Sequence, residues 1–174
     1  GPGPQGRHRT HGRRLARQVQ ALADDPVLSA VGCHVRIFPR RGWSATAQAG
    51  RREYEAWLNS LASAADVARD AFIECPLAHP TLMIERATLE RYGYRDAGWP
   101  EDYDLVLRLL ADGHRLSVVP ERLLCWRDGE SRLSRTSKTY SIERFTACKA
   151  HFLARGFLRE RGDYVLWGYG NTGR

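Results

Sequence analysis

The chain has 174 residues, 43% of them hydrophobic and 10% aromatic, and a formal net charge of +7. That is apolar enough to fold around a core, which excludes a wholly disordered chain, and long enough for one domain or one domain plus the start of another. No apolar run approaches the roughly 20 residues of a membrane span and no apolar stretch of a secretory signal stands at the N-terminus, so a soluble, cytoplasmic protein is expected.

The charge is uneven. Up to Arg52 there are ten Arg against Asp24 and Asp25, whereas the remainder is close to balanced. A basic first third can contact phosphates, but no aromatic platform interleaves with the Arg residues, so no specific nucleic-acid partner is expected. Peripheral contact with a membrane surface stays open. Cys33, Cys75, Cys125 and Cys148 are scattered without a CxxC pair and read as small core residues, not as a zinc site or a disulfide framework.

Residues 1–12 are Gly, Pro, Arg and His with almost nothing apolar, and are expected to be a disordered lead. Leu15, Val19 and Leu22 recur at helical spacing and predict an amphipathic helix from Arg13 to Ala23, stopped by Pro26. Ala30 to Phe38 alternates like a strand, with His34 half-buried in it, and Arg40 to Ala49 reads as loop. Tyr54, Trp57, Leu58 and Leu61 predict a helix over Arg51 to Leu61, followed by a shorter one over Ala65 to Phe72.

Beyond Pro80 the spacing predicts a buried strand, then a short helix from Ala87 to Tyr92 ended by Gly93. His79 precedes Pro80, which biases it toward extended backbone at that strand's start. Gly98-Trp99-Pro100-Glu101-Asp102-Tyr103-Asp104 then opens a helix at about Glu101, with Tyr103, Val106, Leu107 and Leu110 on its buried face. Acidic side chains in that first turn suit the helix dipole, and also seat a general base at the rim of a site. Two strands, His114 to Val119 and Arg122 to Trp126, are expected around Pro120-Glu121. A polar loop with Arg127, Arg132 and Arg135 and a helix from Ser141 to Gly156 follow. The last residues read as a strand running into Gly168-Tyr169-Gly170-Asn171-Thr172-Gly173, a GxGxxG without the helix that would complete a dinucleotide site.

Taken in order, His79-Pro80-Thr81, then Pro100 to Leu110 (PEDYDLVLRLL), then Arg127 with Leu133-Ser134-Arg135, resemble the acceptor-side half of family 2 glycosyltransferases with the GT-A fold. The resemblance implies an α/β fold with a mixed sheet and flanking helices, here a partial GT-A domain over residues 13–158, with residues 159–174 starting a Rossmann-like unit. It implies transfer of a sugar from a nucleotide-sugar donor to a hydroxyl acceptor (glycan, lipid-linked or protein) with inversion. Asp102 matches the family's catalytic carboxylate. On the substrate side stand His79, Trp99 as an apolar wall, Glu101 orienting the site, Asp104 bracing the helix start, and Arg127 and Arg132 near the acceptor or the diphosphate.

Asp102-Tyr103-Asp104 also spells DxD, the family's metal-holding pattern. On a helix, however, side chains two apart point about 200° from each other, so one ion is not shared. The family's own DxD lies upstream, where Arg7 to His11 stand here. A divalent metal, Mg or Mn, is therefore expected in the complete enzyme and none on this chain, which alone should show little or no turnover. The rival reading is a non-catalytic interaction module whose basic N-terminal third binds an anionic partner. A dinucleotide-binding protein is a third, resting on the terminal glycines alone.

Overall fold

The computed structural model describes residues 9–38, 44–127 and 137–165. Among these residues the chain is α/β: a mixed four-stranded sheet with helices around it. In chain order the elements are β1 (Arg9–Thr10), α1 (Arg14–Asp24), β2 (Leu28–Phe38), α2 (Ala45–Leu58), α3 (Ala64–Asp70), β3 (Met83–Ile84), α4 (Arg86–Tyr92), α5 (Glu101–Ala111), β4 (Arg115–Arg127) and α6 (Ile142–Arg155). The strands lie in the order β1, β4, β2, β3. β2 and β4 run parallel at the centre, and β1 and β3 add short antiparallel edges.

Local side chains and glycines set the ends of the elements, and the stop expected at Gly93 is among them. Ser63 Oγ accepts the Asp66 N–H at 3.2 Å and donates back to the Asp66 carboxylate at 2.8 Å, a reciprocal cap for α3. Gly93 ends α4 at φ +52°, and Gly98, at φ +79°, makes the turn that delivers Trp99 and Pro100 to the start of α5. α5 is buried nearly all round: Tyr103, Leu105, Val106, Leu107 and Leu109 join one core cluster with Val67 of α3 and Cys148 and Phe152 of α6. A second cluster gathers Val31, Cys33, Val35 and Ile37 with Leu58 and Trp126. Ala30 and Val31 of β2 fall in different clusters, as alternate side chains of a strand covered on both faces must.

Five expectations need correction. The buried strand after Pro80 shrinks to Met83–Ile84, because His79–Thr81 winds into a 3-10 turn with Thr81 N–H on Ala78 O at 2.8 Å. The two strands around Pro120-Glu121 are one strand, β4. Its pairing jumps from Val119 opposite Cys33 to Arg122 opposite His34, so Pro120 and Glu121 form a bulge, where the missing proline N–H breaks no ladder bond. α2 starts at Ala45 inside the expected loop, because Ser44 Oγ caps it by accepting from Ala47 N–H at 3.2 Å.

The fourth concerns α1. Its apolar spacing predicts Leu15 and Val19 inward, yet both are exposed, and the one buried residue is Gln18, 1% exposed. Gln18 Nε2 donates to Val31 O at 3.1 Å and Thr81 O at 2.7 Å, so the helix docks by satisfying carbonyls near the edge of the sheet. The disordered-lead expectation falls mostly on residues 1–8, and the GxGxxG on 168–173, outside the described residues. Of the last expected strand, Gly162 to Val165 are described, and they are not in one.

Candidate active site

Asp102 sits in the first turn of α5, and its side chain is 20% exposed. One oxygen, Oδ1, accepts the N–H of Tyr103 at 2.9 Å. The other, Oδ2, lies 3.9 Å from His79 Nδ1. The carboxylate opens on a cleft of about 320 Å³, walled by His79, Glu74, Cys75, Tyr54, Arg51, Trp126, Tyr140 and Phe145. Burial pushes the Asp102 carboxyl above its ordinary range, and the facing His79 and the Tyr103 N–H only partly oppose this.

His79 reaches the cleft because its 3-10 turn is tied from several sides. Thr81, 1% exposed, donates its hydroxyl to Ala78 O at 2.7 Å. Arg14 donates to Pro80 O at 2.8 Å and Gln18 to Thr81 O at 2.7 Å, so α1 fixes the turn. The His79 ring meets Tyr94 edge-on with centroids 5.6 Å apart.

Glu101 faces a second cavity of about 350 Å³, shared with Tyr94, Arg95, Asp96, Trp99 and Tyr140. Tyr140 donates its hydroxyl to Glu101 at 2.7 Å and lines both cavities. Burial, followed by the negative charge of Asp102 and the bond to Glu101, raises the Tyr140 phenol, so it stays a donor. Trp99 is half-buried there, its ring 5.0 Å from that of His151 and its Nε1 on Asp104 at 2.8 Å.

Asp104 points the other way. Its side chain is 0% exposed and accepts from Arg95 at 2.8 and 2.9 Å, from Trp99, and from Arg108 at 2.7 Å. Burial pushes this carboxyl up, but the bonds from Arg95, Trp99 and Arg108 together outweigh it and hold it below the usual range. Arg108 in turn donates to the carbonyls of Tyr92 and Gly93 at 2.8 and 2.6 Å, so Asp104 braces the entry to α5 and the end of α4 and does not itself face a cavity.

The structure thus brings His79 and Asp102 to one cleft and Glu101 and Trp99 to the neighbouring cavity. Arg127 is exposed at the end of β4, next to Trp126 of the cleft wall, and Arg132 lies outside the described residues. Tyr140, Tyr94 and Arg51 were not assigned to a site from the sequence and Cys75 was read as a core residue, since they come from four separate stretches and no spacing relates them to Asp102. The Asp102/Asp104 pair does not fit a metal ion: Asp104 is enclosed with its donors while Asp102 opens on the cleft. Among the described residues no group of three His, Cys, Asp or Glu is placed to hold one, and no helix is long and apolar enough to cross a membrane. Compared with known proteins, the chain matches no family model, no curated protein and no solved structure.

Proposed function

We infer that this chain is the acceptor side of an inverting glycosyltransferase of the family 2, GT-A type, with Asp102 as the general base. The observation that carries the reading is the Asp102 carboxylate, partly buried, shifted toward greater basicity and opening on a cleft beside His79. A sugar hydroxyl is a poor nucleophile until a positioned base takes its proton, and a desolvated carboxylate is a stronger base than one in water. The acceptor O–H proton passes to Asp102 as the acceptor oxygen bonds to the anomeric carbon. The bond from that carbon to the nucleoside diphosphate breaks, and its electron pair leaves with the diphosphate. One displacement inverts the centre. His79 faces the proton acceptor, and Tyr140 and Glu101 set the wall between the cleft and the cavity beside Trp99. The order of the HPT and PEDYDLVLRLL motifs along the chain supports the same reading. The donor's diphosphate and its metal are assigned to no residue of this chain.

The test is Asp102→Asn in the natural protein that carries this sequence, assayed for transfer from nucleotide sugars with Mn²⁺ present. Turnover should fall about 10²–10⁴-fold, the usual contribution of a general base, with donor affinity within about twofold of the wild type. Unchanged turnover would leave Asp102 with the helix-start role alone.

A further inference from the structure

α2 turns one broad face away from the core. Tyr54, Trp57 and Leu58 pack inward, while Gln48, Arg51, Arg52, Glu55, Ala56 and Asn59, two adjacent stripes at helical spacing, line a cavity of about 420 Å³. Arg36 of β2 and Arg122 of β4 complete it, so four guanidinium groups from three separate elements surround one hollow. Glu55 is its only carboxylate among the described residues and is already engaged: Oε2 accepts the Ile37 N–H at 2.7 Å and Oε1 lies 3.4 Å from Arg36. Among the described residues, neither Arg52 nor Arg122 has an ion pair.

The wall is rigid. Asn59 exchanges two hydrogen bonds with Val35, accepting from its N–H and donating to its carbonyl, each at 2.9 Å; with the Glu55 bond to Ile37, these anchor α2 to the open edge of β2. Four arginines against one engaged carboxylate leave this hollow with an excess of positive charge, and an anion with several charges offsets it. Guanidinium forks match phosphoryl oxygens two at a time, and the two that have no ion pair among the described residues, Arg52 and Arg122, come from α2 and β4, so each can take one phosphoryl group of a diphosphate.

We propose that this arginine cleft is a binding site for a small diphosphate-class anion, held between Arg51 and Arg52 on one side and Arg36 and Arg122 on the other. Arg51 also lines the Asp102 cleft, so the two hollows adjoin. The site does not depend on the glycosyl-transfer reading, because it uses neither Asp102 nor a sugar.

Isothermal titration of the full chain with inorganic pyrophosphate tests it. Saturable binding near one to one is expected, at least tenfold tighter than inorganic phosphate, and at least tenfold weaker in Arg52→Ala/Arg122→Ala, whose two changed side chains are both exposed. Phenylglyoxal labelling of the wild-type chain gives a readout independent of any variant: pyrophosphate should protect Arg52 and Arg122 while leaving exposed Arg91 of α4 as reactive as before. Absence of saturable binding, equal affinity in the double variant, protection spread evenly over all arginines, or binding of a polyanion such as heparin without binding of pyrophosphate would each overturn the proposal.

Discussion

Asp102 and Asp104 stand two residues apart in the first turn of α5, and the protein shifts their carboxyls in opposite directions. Both meet the positive end of the same helix dipole, so the dipole is not what separates them. Asp102 is desolvated and faces a single histidine at 3.9 Å, whereas Asp104 is desolvated but carries hydrogen bonds from two arginines and an indole. Environments that drive neighbouring carboxyls apart in this way separate a proton-accepting role from a structural one.

For Asp102 the raised value has a consequence for stability. The folded carboxyl keeps its proton to higher pH than the unfolded one, whose ordinary value is 3.8, so ionising it costs stability at neutral pH. Asp102→Asn removes that cost and keeps an oxygen to accept the Tyr103 N–H. Its melting temperature should exceed that of the wild type at pH 7, and the difference should shrink as pH is lowered toward 3.8. An unchanged or lower melting temperature at pH 7 would contradict the burial of this group.

Asp104 has the opposite sign. Its depressed carboxyl lends stability that is full above the ordinary value of 3.8 and is lost as pH falls through the folded value. Asp104→Ala leaves Arg108, whose side chain is 13% exposed, without its carboxylate. Removing one partner of a buried pair costs about 3–5 kcal/mol. Urea unfolding at pH 7 measures this, and a loss under about 1 kcal/mol would contradict the bracing role.

The Tyr140 hydroxyl joins the 3-10 turn Lys138–Tyr140 to Glu101 at the start of α5. Tyr140→Phe removes a hydrogen bond to a carboxylate, a loss of about 1.5 kcal/mol. Glu101→Gln retains an oxygen acceptor and should lose less. Equal losses in the two variants, compared by chemical denaturation, would mean that charge rather than the shared proton joins the two segments.

Cysteine labelling reads the packing directly. Burial pushes the Cys33 thiol up to about 11 and the Cys148 thiol up to about 12, and drives Cys75 well above its ordinary range. Only Cys125 is partly exposed. At pH 8, iodoacetamide should modify Cys125 first and reach the other three on unfolding, because the thiolate is the reacting form. Modification of Cys75 at the rate of Cys125 in the folded protein would contradict the core described above.

The start of α5 at Glu101, its apolar face through Tyr103, Val106 and Leu107, the stop of α4 at Gly93, the central strand β2 and the helix ending near Arg155 were all legible in the chain. Proline position, glycine position and apolar spacing act over a few residues, and those residues carry them wherever the chain goes. That a carboxylate stands at the head of a helix where a base could sit was legible for the same reason.

Tertiary structure alone decided the rest. Gln18 faces inward and Leu15 outward because carbonyls of Val31 and Thr81, distant in sequence, needed a donor. Pro120 lies within a strand because a bulge opposite His34 absorbs it. Asp102 is set apart from Asp104 by Arg95 and Arg108 on one side and by the cleft on the other, and Tyr140 reaches Glu101 across 39 positions of chain. Local spacing records what a residue prefers, but burial and charge pairing depend on which distant side chains arrive beside it, and only the folded chain brings them together.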